Sequence, residues 1–259
     1  MGTYLDAILV AHRAAAAADP RALGDLLERT DGLAPARPFA AALTADDDLA
    51  VIAEVKRRSP SKGPLALDLD PGSLAVSYQC GGAACLSVLT DHEFFGGSPA
   101  DLAEARSACA LPVLRKDFTV DERDVVDSRL MGADAVLLIA AALDDDELRR
   151  FLDLATALVL DALVEVHDDA ELARAVAAGA MLIGVNQRDL TTFEVDRGRA
   201  ARLAALMPAG AVTVAESGVR GAEDAVALAA VGYDAVLVGE SLVTSADPSA
   251  AVVDLRTGG

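Results

Sequence analysis

From residue 51 onward, short apolar blocks alternate with longer segments carrying helix signals. The blocks are VIAEVK (51–56), ACLSVLT (84–90), PVLRKDF (112–118), DAVLLIA (134–140), DALVEV (161–166), MLIGVN (181–186), AVTVAES (211–217) and DAVLVG (234–239). Each is rich in Val, Ile and Leu and bounded by Gly, Asp or Pro, the pattern of a parallel strand buried on both faces. Between them, Asp70-Pro71 opens a helix that Gly81-Gly82 closes, and Asp121 opens another that ends near Gly132. Asp168 with Glu171 three residues later has the form of a capping box, with Gly179 at the far end, and Gly221 and Gly232 bracket a further helix.

Eight strands alternating with helices predict a (β/α)8 TIM barrel. The competing arrangement, a doubly wound open sheet, needs a nucleotide-binding glycine turn after its first strand. Here the first strand runs into RRSPSKG, which has no GxGxxG, and the barrel is preferred. Residues 1–50 then form an N-terminal helical extension covering one end, with Pro35 and Pro38 marking a connecting loop. The whole of 1–259 is expected to be a single barrel domain.

Composition narrows the function. The chain is 53% hydrophobic, and its 41 acids against 22 bases give a formal net charge of −19. That excludes a nucleic-acid groove, which needs dense positive charge, but not a small anionic ligand. No apolar run reaches the roughly 20 residues of a membrane span. The Ala-rich N-terminus carries Asp6, His12 and Arg13 and lacks a secretory layout, so a cytoplasmic location is expected. Cys80, Cys85 and Cys109 have no ligand-like spacing and read as reduced thiols. His12, His92 and His167 belong to no zinc motif, so no metal is expected. Of the bases only Lys56, Lys62 and Lys116 are lysines; elsewhere the chain uses Arg.

Barrel active sites form at the C-terminal strand ends and the loops that follow. Strand 1 ends with Glu54 and Lys56, two residues apart and so on one face. Strand 3 ends with Lys116, and Phe118 shares its side. Strand 5 ends at Glu165, strand 6 at Asn186, strand 7 at Glu216-Ser217 and strand 8 at Gly239-Glu240. Taken singly, Glu54 with Lys56 or Lys116 with Glu165 reads equally as an ion pair plugging the barrel. Six converging polar strand ends favour chemistry, because buried ion pairs add little stability. Lysine, unlike Arg, can be tuned to exchange a proton, which gives the lysine scarcity a chemical reading. Ser217-Gly218-Val219 and Gly239-Glu240-Ser241 occupy the loops where such barrels hold phosphate. The SPSKG loop adds Ser59, Ser61 and Lys62 as candidates, although a solvated loop charge explains Lys62 equally well.

These residues, in this order, are similar to the indole-3-glycerol-phosphate synthase family of tryptophan biosynthesis. The matching segments are IAEVKRRSPSKG (52–63), CLSVLTDHEFFGGS (85–98), LPVLRKDF (111–118), GADAVLLIAA (132–141), LVEVHDDAEL (163–172), IGVNQRDLTTFEVD (183–196), VAESGV (214–219) and AVLVGESLV (235–243). The N-terminal 40 residues match loosely, and 118–132 is more charged than the family pattern. The resemblance implies a barrel with a helical extension that closes the pyrrole ring of 1-(2-carboxyphenylamino)-1-deoxyribulose 5-phosphate with loss of CO2 and water. It implies no cofactor and a phosphorylated small-molecule substrate; a monomer or weak homo-oligomer is expected, although the sequence does not give the oligomeric state.

By the family pattern, Lys116 protonates the substrate carbonyl oxygen. Lys56 pairs with the substrate carboxylate and protonates the departing hydroxyl, with Glu54 beside it as relay. Glu165 is the general base that helps remove the ring proton. Which lysine or carboxylate serves dehydration stays open. Asn186 and Ser217 orient the substrate, Arg188 its carboxylate and Glu216 its ribulose hydroxyls. Phe95, Phe118 and Leu237 wall the anthranilate ring. Ser59, Gly218, Gly239 and Glu240 hold phosphate, the last three largely through backbone N–H groups. Two rivals remain. Another phosphate-binding barrel enzyme using a Schiff base would be trapped by borohydride, and a non-catalytic relative would have lost some of these groups.

Overall fold

A computed structural model describes residues 3–59, 62–189 and 191–257. Eight parallel strands close into a barrel. They are β1 (Ala50–Val55), β2 (Cys85–Leu89), β3 (Val113–Lys116), β4 (Ala135–Ile139), β5 (Asp161–Val166), β6 (Leu182–Asn186), β7 (Val212–Glu216) and β8 (Ala235–Val238). Each pairs with its sequence neighbours, and β8 returns to β1 through Ala50 beside Ala235 and Ile52 beside Leu237.

Alternation along each strand sends every second residue inward. Register then decides which residues meet. Glu54 stands level with Ser87, Lys116 with Leu89, Glu165 with Ile139 and Gly184, and Glu216 with Asn186 and Leu237. Below that polar level Ile52, Leu114, Leu163 and Val214 are fully buried. Burying each such side chain contributes about 1.5–3 kcal/mol. Gly184 matters here, because a Cβ at this position would run into the Glu216 carboxylate and crowd Leu163. The missing side chain makes room for a buried acid.

The helices begin where short polar side chains can accept their free N–H groups. Asp70 caps α4 (Pro71–Cys80), Ser98 caps α5 (Pro99–Ala108) and Asp121 caps α6 (Glu122–Leu130) with a full capping box. Asp144 does the same for α7 (Asp145–Ala157). Asp168 caps α8 (Asp169–Ala178), and Gly179 ends it at φ 94°. The expected capping box at Asp168 is only half made, because the Glu171 carboxylate turns to the backbone N–H and ring of His167. Helices α9 (Gly198–Ala204), α10 (Ala222–Ala230), α11 (Glu240–Val243) and α12 (Pro248–Thr257) complete the shell. Lys56 lies one residue beyond β1 and Phe118 two beyond β3, so both leave from loops rather than strands.

The N-terminal extension reaches both ends of the barrel, which corrects the expectation that it covers one. Helix α1 (Tyr4–Ala18) lies over the mouth: Tyr4 meets Phe94 and Phe193 edge-on, His12 reaches Asp91, and Arg13 binds Glu147 and the Ala142 carbonyl. Helix α2 (Leu23–Glu28) descends along α6. Helix α3 (Phe39–Leu43) closes the N-terminal end, with Phe39 fully buried and its carbonyl accepting from Cys85 Sγ. Asp161 at the foot of β5 accepts the Ala40 N–H, and fully buried Asp134 accepts the N–H groups of Arg37 and Val113.

Candidate active site

The C-terminal mouth opens into a cavity of about 500 Å³. All fifteen residues named from the sequence line it, and so does Lys62. Ser61 lies outside the described residues.

At its centre the Lys116 ammonium donates to Glu165 Oε2 at 2.9 Å and Glu216 Oε2 at 2.6 Å. Asn186 donates to Glu165 Oε1 at 3.0 Å, and its own Oδ1 accepts the Arg188 N–H. Lys56 forms a close ion pair with Glu54, whose backbone carbonyl accepts the buried Tyr78 hydroxyl. Gly239 stands against this pair: a Cβ there would strike the Glu54 carboxylate and lie 3.1 Å from Lys56 Nζ. The glycine just past β8 therefore gives the Glu54–Lys56 pair its room.

Burial separates the titrations of these acids. It pushes the Glu216 carboxyl up to about 7 and, with neighbouring Glu165 acting the same way, outweighs Lys116. Burial also works to raise Glu165, but Lys116, His167 and the hydrogen bonds of Asn186 and Lys116 bring it to about 2. Lys116 is itself disfavoured by burial, yet Glu165, Glu216 and Glu54 hold its ammonium form well above the ordinary lysine range. Of these two neighbouring carboxyls, Glu216 thus holds its proton far more readily than Glu165. Among the described residues, buried Glu216 Oε1 has no hydrogen-bond partner, which leaves it open to a donor from the cavity.

The other wall is built from turns. Ser217 (φ 63°) and Gly218 (φ 77°) both take left-handed backbone. That conformation is costly for Ser and is retained where a site demands it. A Cβ on Gly218 would sit 2.7 Å from Val195 Cγ1, so the loop after β6 packs directly on this turn. Gln187 supports it from below, donating to the Ser217 carbonyl at 2.8 Å. Gly239 and Glu240 begin α11, whose first N–H groups have no partner within the helix. Lys62 reaches Glu240 at 3.5 Å. Arg188 is fixed by its bond to the Phe193 carbonyl.

Phe95 and Phe118 lie 6.2 Å apart, centre to centre, and with Leu237 form an apolar wall. Asp91 holds the first of them: its Oδ1 accepts the N–H groups of Phe94 and Phe95.

Several lining residues escaped the sequence reading. Leu137 and Ile139 supply more apolar surface from β4, whose end has no polar residue to draw notice. Arg197, beside the Gly218 carbonyl at 3.3 Å, and Arg220 add cations that sequence places in unremarkable loops. His167 stands two residues past Glu165, the spacing that singled out Lys56 after Glu54, and that signal was open to use. The expectation of no metal meets a cluster of His12, Asp91 and Asp117, whose ligand atoms lie within 4.8 Å of one another. Their oxygens are already committed: Asp117 accepts from Thr90, Arg115 and the Phe118 N–H, and Asp91 from His12 and the two Phe N–H groups. The cluster ties α1 to the mouth loops.

Among solved structures, the fold is similar to 3-hexulose-6-phosphate synthase, with TM-score 0.63 at 16% identity, covering 81% of this chain and 99% of that one. It is also similar to thiamine phosphate pyrophosphorylase from Pyrococcus furiosus, at 0.62 and 16%, covering 81% and 95%. These likenesses show the barrel alone. Sequence relatives go further. Indole-3-glycerol phosphate synthase 2 of Streptomyces coelicolor is 55% identical over 89% of each chain. Indole-3-glycerol phosphate synthase of Mycobacteroides abscessus is 48% identical over 100% of this chain and 95% of its own. The family profile described as Indole-3-glycerol phosphate synthase matches residues 5–255. A mouth with lysines and glutamates converging on an apolar wall, on a chain matched to that family almost end to end, thus places this protein in the indole-3-glycerol phosphate synthase family, carboxy-lyases of tryptophan biosynthesis.

Proposed function

We propose that Lys116 is the general acid in the family's reaction, the decarboxylating, dehydrating ring closure of 1-(2-carboxyphenylamino)-1-deoxyribulose 5-phosphate. The observation that carries this is its half-buried ammonium, held between Glu165 and Glu216 at the centre of the cavity. The substrate's aromatic ring lies against Phe95, Phe118 and Leu237. Its carboxylate meets Lys56 and Arg188, its ribulose hydroxyls Glu216, and its phosphate Ser59, Gly218, Gly239 and Glu240. Asn186 and Ser217 orient it. Cytoplasmic location, independence from cofactor and metal, absence of nucleic-acid or membrane partners, and a monomeric or weakly oligomeric state belong to the same reading.

The electrostatics supply an order of events. Lys116 protonates the carbonyl oxygen as the ring carbon attacks. Loss of that positive charge removes the main influence holding Glu165 near 2, so its carboxylate becomes a stronger base once the acid step is over. Glu165 then takes the ring proton after CO2 has left. Lys56, with Glu54 beside it, protonates the departing hydroxyl.

Lys116→Met is expected to lower kcat by roughly 10²–10⁴-fold, the usual contribution of a positioned acid. Indole fluorescence during turnover measures it, and near-normal kcat would remove Lys116 from this role.

A further inference from the structure

The two rings of the apolar wall are each hung from an acid beside them. Asp117 Oδ1 accepts the N–H of Phe118 at 2.8 Å. Asp91 Oδ1 accepts the N–H groups of Phe94 at 2.6 Å and Phe95 at 3.1 Å, and the Asp91 carbonyl accepts the Gly97 N–H at 2.8 Å. Residues 91–97 therefore turn around one buried carboxylate, and its position sets where the Phe95 ring stands.

The two acids are secured differently. Asp117 is held from within the barrel, by Arg115 at 3.0 Å and by the Thr90 hydroxyl. Among the described residues, the cation that meets Asp91 comes from the N-terminal extension: His12 of α1, whose Nε2 lies 3.0 Å from Asp91 Oδ2. The His12 ring also packs against Phe118, 5.4 Å away centre to centre, and stands 6.5 Å from Phe94. We propose that His12 is a positioning residue for the substrate's aromatic ring, setting the place of Phe95 through its bond to Asp91. The extension thereby contributes to substrate affinity and not to the chemical steps. This inference rests on Phe95 walling that ring.

The charges around the bond strengthen it. Burial works against the imidazolium form of His12, but the Asp91 hydrogen bond, with Asp117, Asp91 itself and Asp124 of α6 nearby, holds that form above the ordinary histidine range. Burial of Asp91 is likewise outweighed by His12 and the two Phe N–H groups, which keep its carboxyl below the ordinary carboxylate range. Both groups thus lean to their charged forms, and a hydrogen bond between charged partners is the stronger kind.

His12→Leu keeps an apolar side chain against the rings and removes the bond. In the full-length enzyme it should raise KM by about tenfold, the scale of one hydrogen bond to a charged group, with kcat within about twofold of wild type. His12→Gln, whose amide can still donate to Asp91, should bring KM back to within about threefold. His12→Asn, too short for that reach, takes the place of the Leu variant should the latter not fold. Arg13→Ala, which loosens α1 at its other anchor on Glu147, should leave KM nearly unchanged. An equal rise there, or an unchanged KM in His12→Leu, would overturn the inference. Phe95→Ala separates it from the reading it rests on. That variant should raise KM by itself, and adding His12→Leu should then change little, because a residue acting through another adds nothing once the other is gone. A raised KM in Phe95→Ala with no effect of His12→Leu on the wild-type background removes the role of His12 alone. An unchanged KM in Phe95→Ala removes the aromatic wall and the role of His12 with it.

Discussion

Three carboxylates, Glu54, Glu165 and Glu216, share the inner mouth with two ammonium groups, Lys56 and Lys116, and all three acids are buried. Fully ionised, the set would carry an uncompensated negative charge in a poorly solvated place, which is costly. A proton held on Glu216 relieves it. The consequence is a pH dependence of stability with a definite sign. The folded chain keeps the Glu216 proton above the ordinary carboxylate range, where the unfolded chain has lost it. Its stabilising contribution is therefore full below that range and is lost as pH rises through about 7. Glu216→Gln should flatten the fall in stability between pH 5 and 8. Urea unfolding of both proteins at the two pH values measures this, and an unchanged slope would show that another group holds the proton.

At the scale of elements, strand order, most helix starts and the polar strand ends were legible because each depends on local signals: apolar blocks, Asp caps and glycine stops. The path of the extension was not. Its anchors pair residues far apart in sequence, Arg37 with Asp134, Ala40 with Asp161, and His12 with Asp91. No local pattern announces them. His167 differs: its position two residues past Glu165 is a local signal, and only its tie to Glu171 is hidden, because Glu171 reads as a capping residue until its carboxylate is seen to turn away from Asp168. The plug at the N-terminal end gives an element-scale prediction. Phe39→Ala should cost about 3–5 kcal/mol of stability, as a large buried ring replaced by a cavity does. kcat of the folded fraction should stay at the wild-type value, because α3 closes the end opposite the chemistry. Thermal or urea unfolding beside the fluorescence assay checks both halves, and a matching fall in kcat would mean that strain passes through the barrel to the mouth.

Over the whole molecule, a chain of net charge −19 must admit a substrate bearing carboxylate and phosphate. Distribution resolves the conflict. All three lysines of the sequence line the one cavity, together with Arg188, Arg197 and Arg220, so the scarce lysines and part of the arginine set gather where the anion enters. Much of the acid lies elsewhere, for example in the exposed run Asp46, Asp47 and Asp48 just before β1, at the barrel's closed end. Near physiological salt, charges act over about 8 Å. The six residues of β1, at about 3.3 Å each, put roughly twice that length between the Asp run and the mouth, so the entering substrate responds mainly to the cations of the mouth and little to the acids behind it. Reversing Asp47 and Asp48 together to Lys should therefore leave kcat/KM within about twofold at 0.15 M salt, where screening over that length removes their field. The change should raise kcat/KM at about 0.01 M, where the screening length grows to about 30 Å. Arg188→Ala should behave differently: if Arg188 meets the substrate carboxylate directly, as proposed, KM rises at both salt concentrations. Should the Asp reversal raise kcat/KM equally at both salts, long-range field rather than local charge would govern entry, and the gathering of basic residues at the mouth would need another explanation.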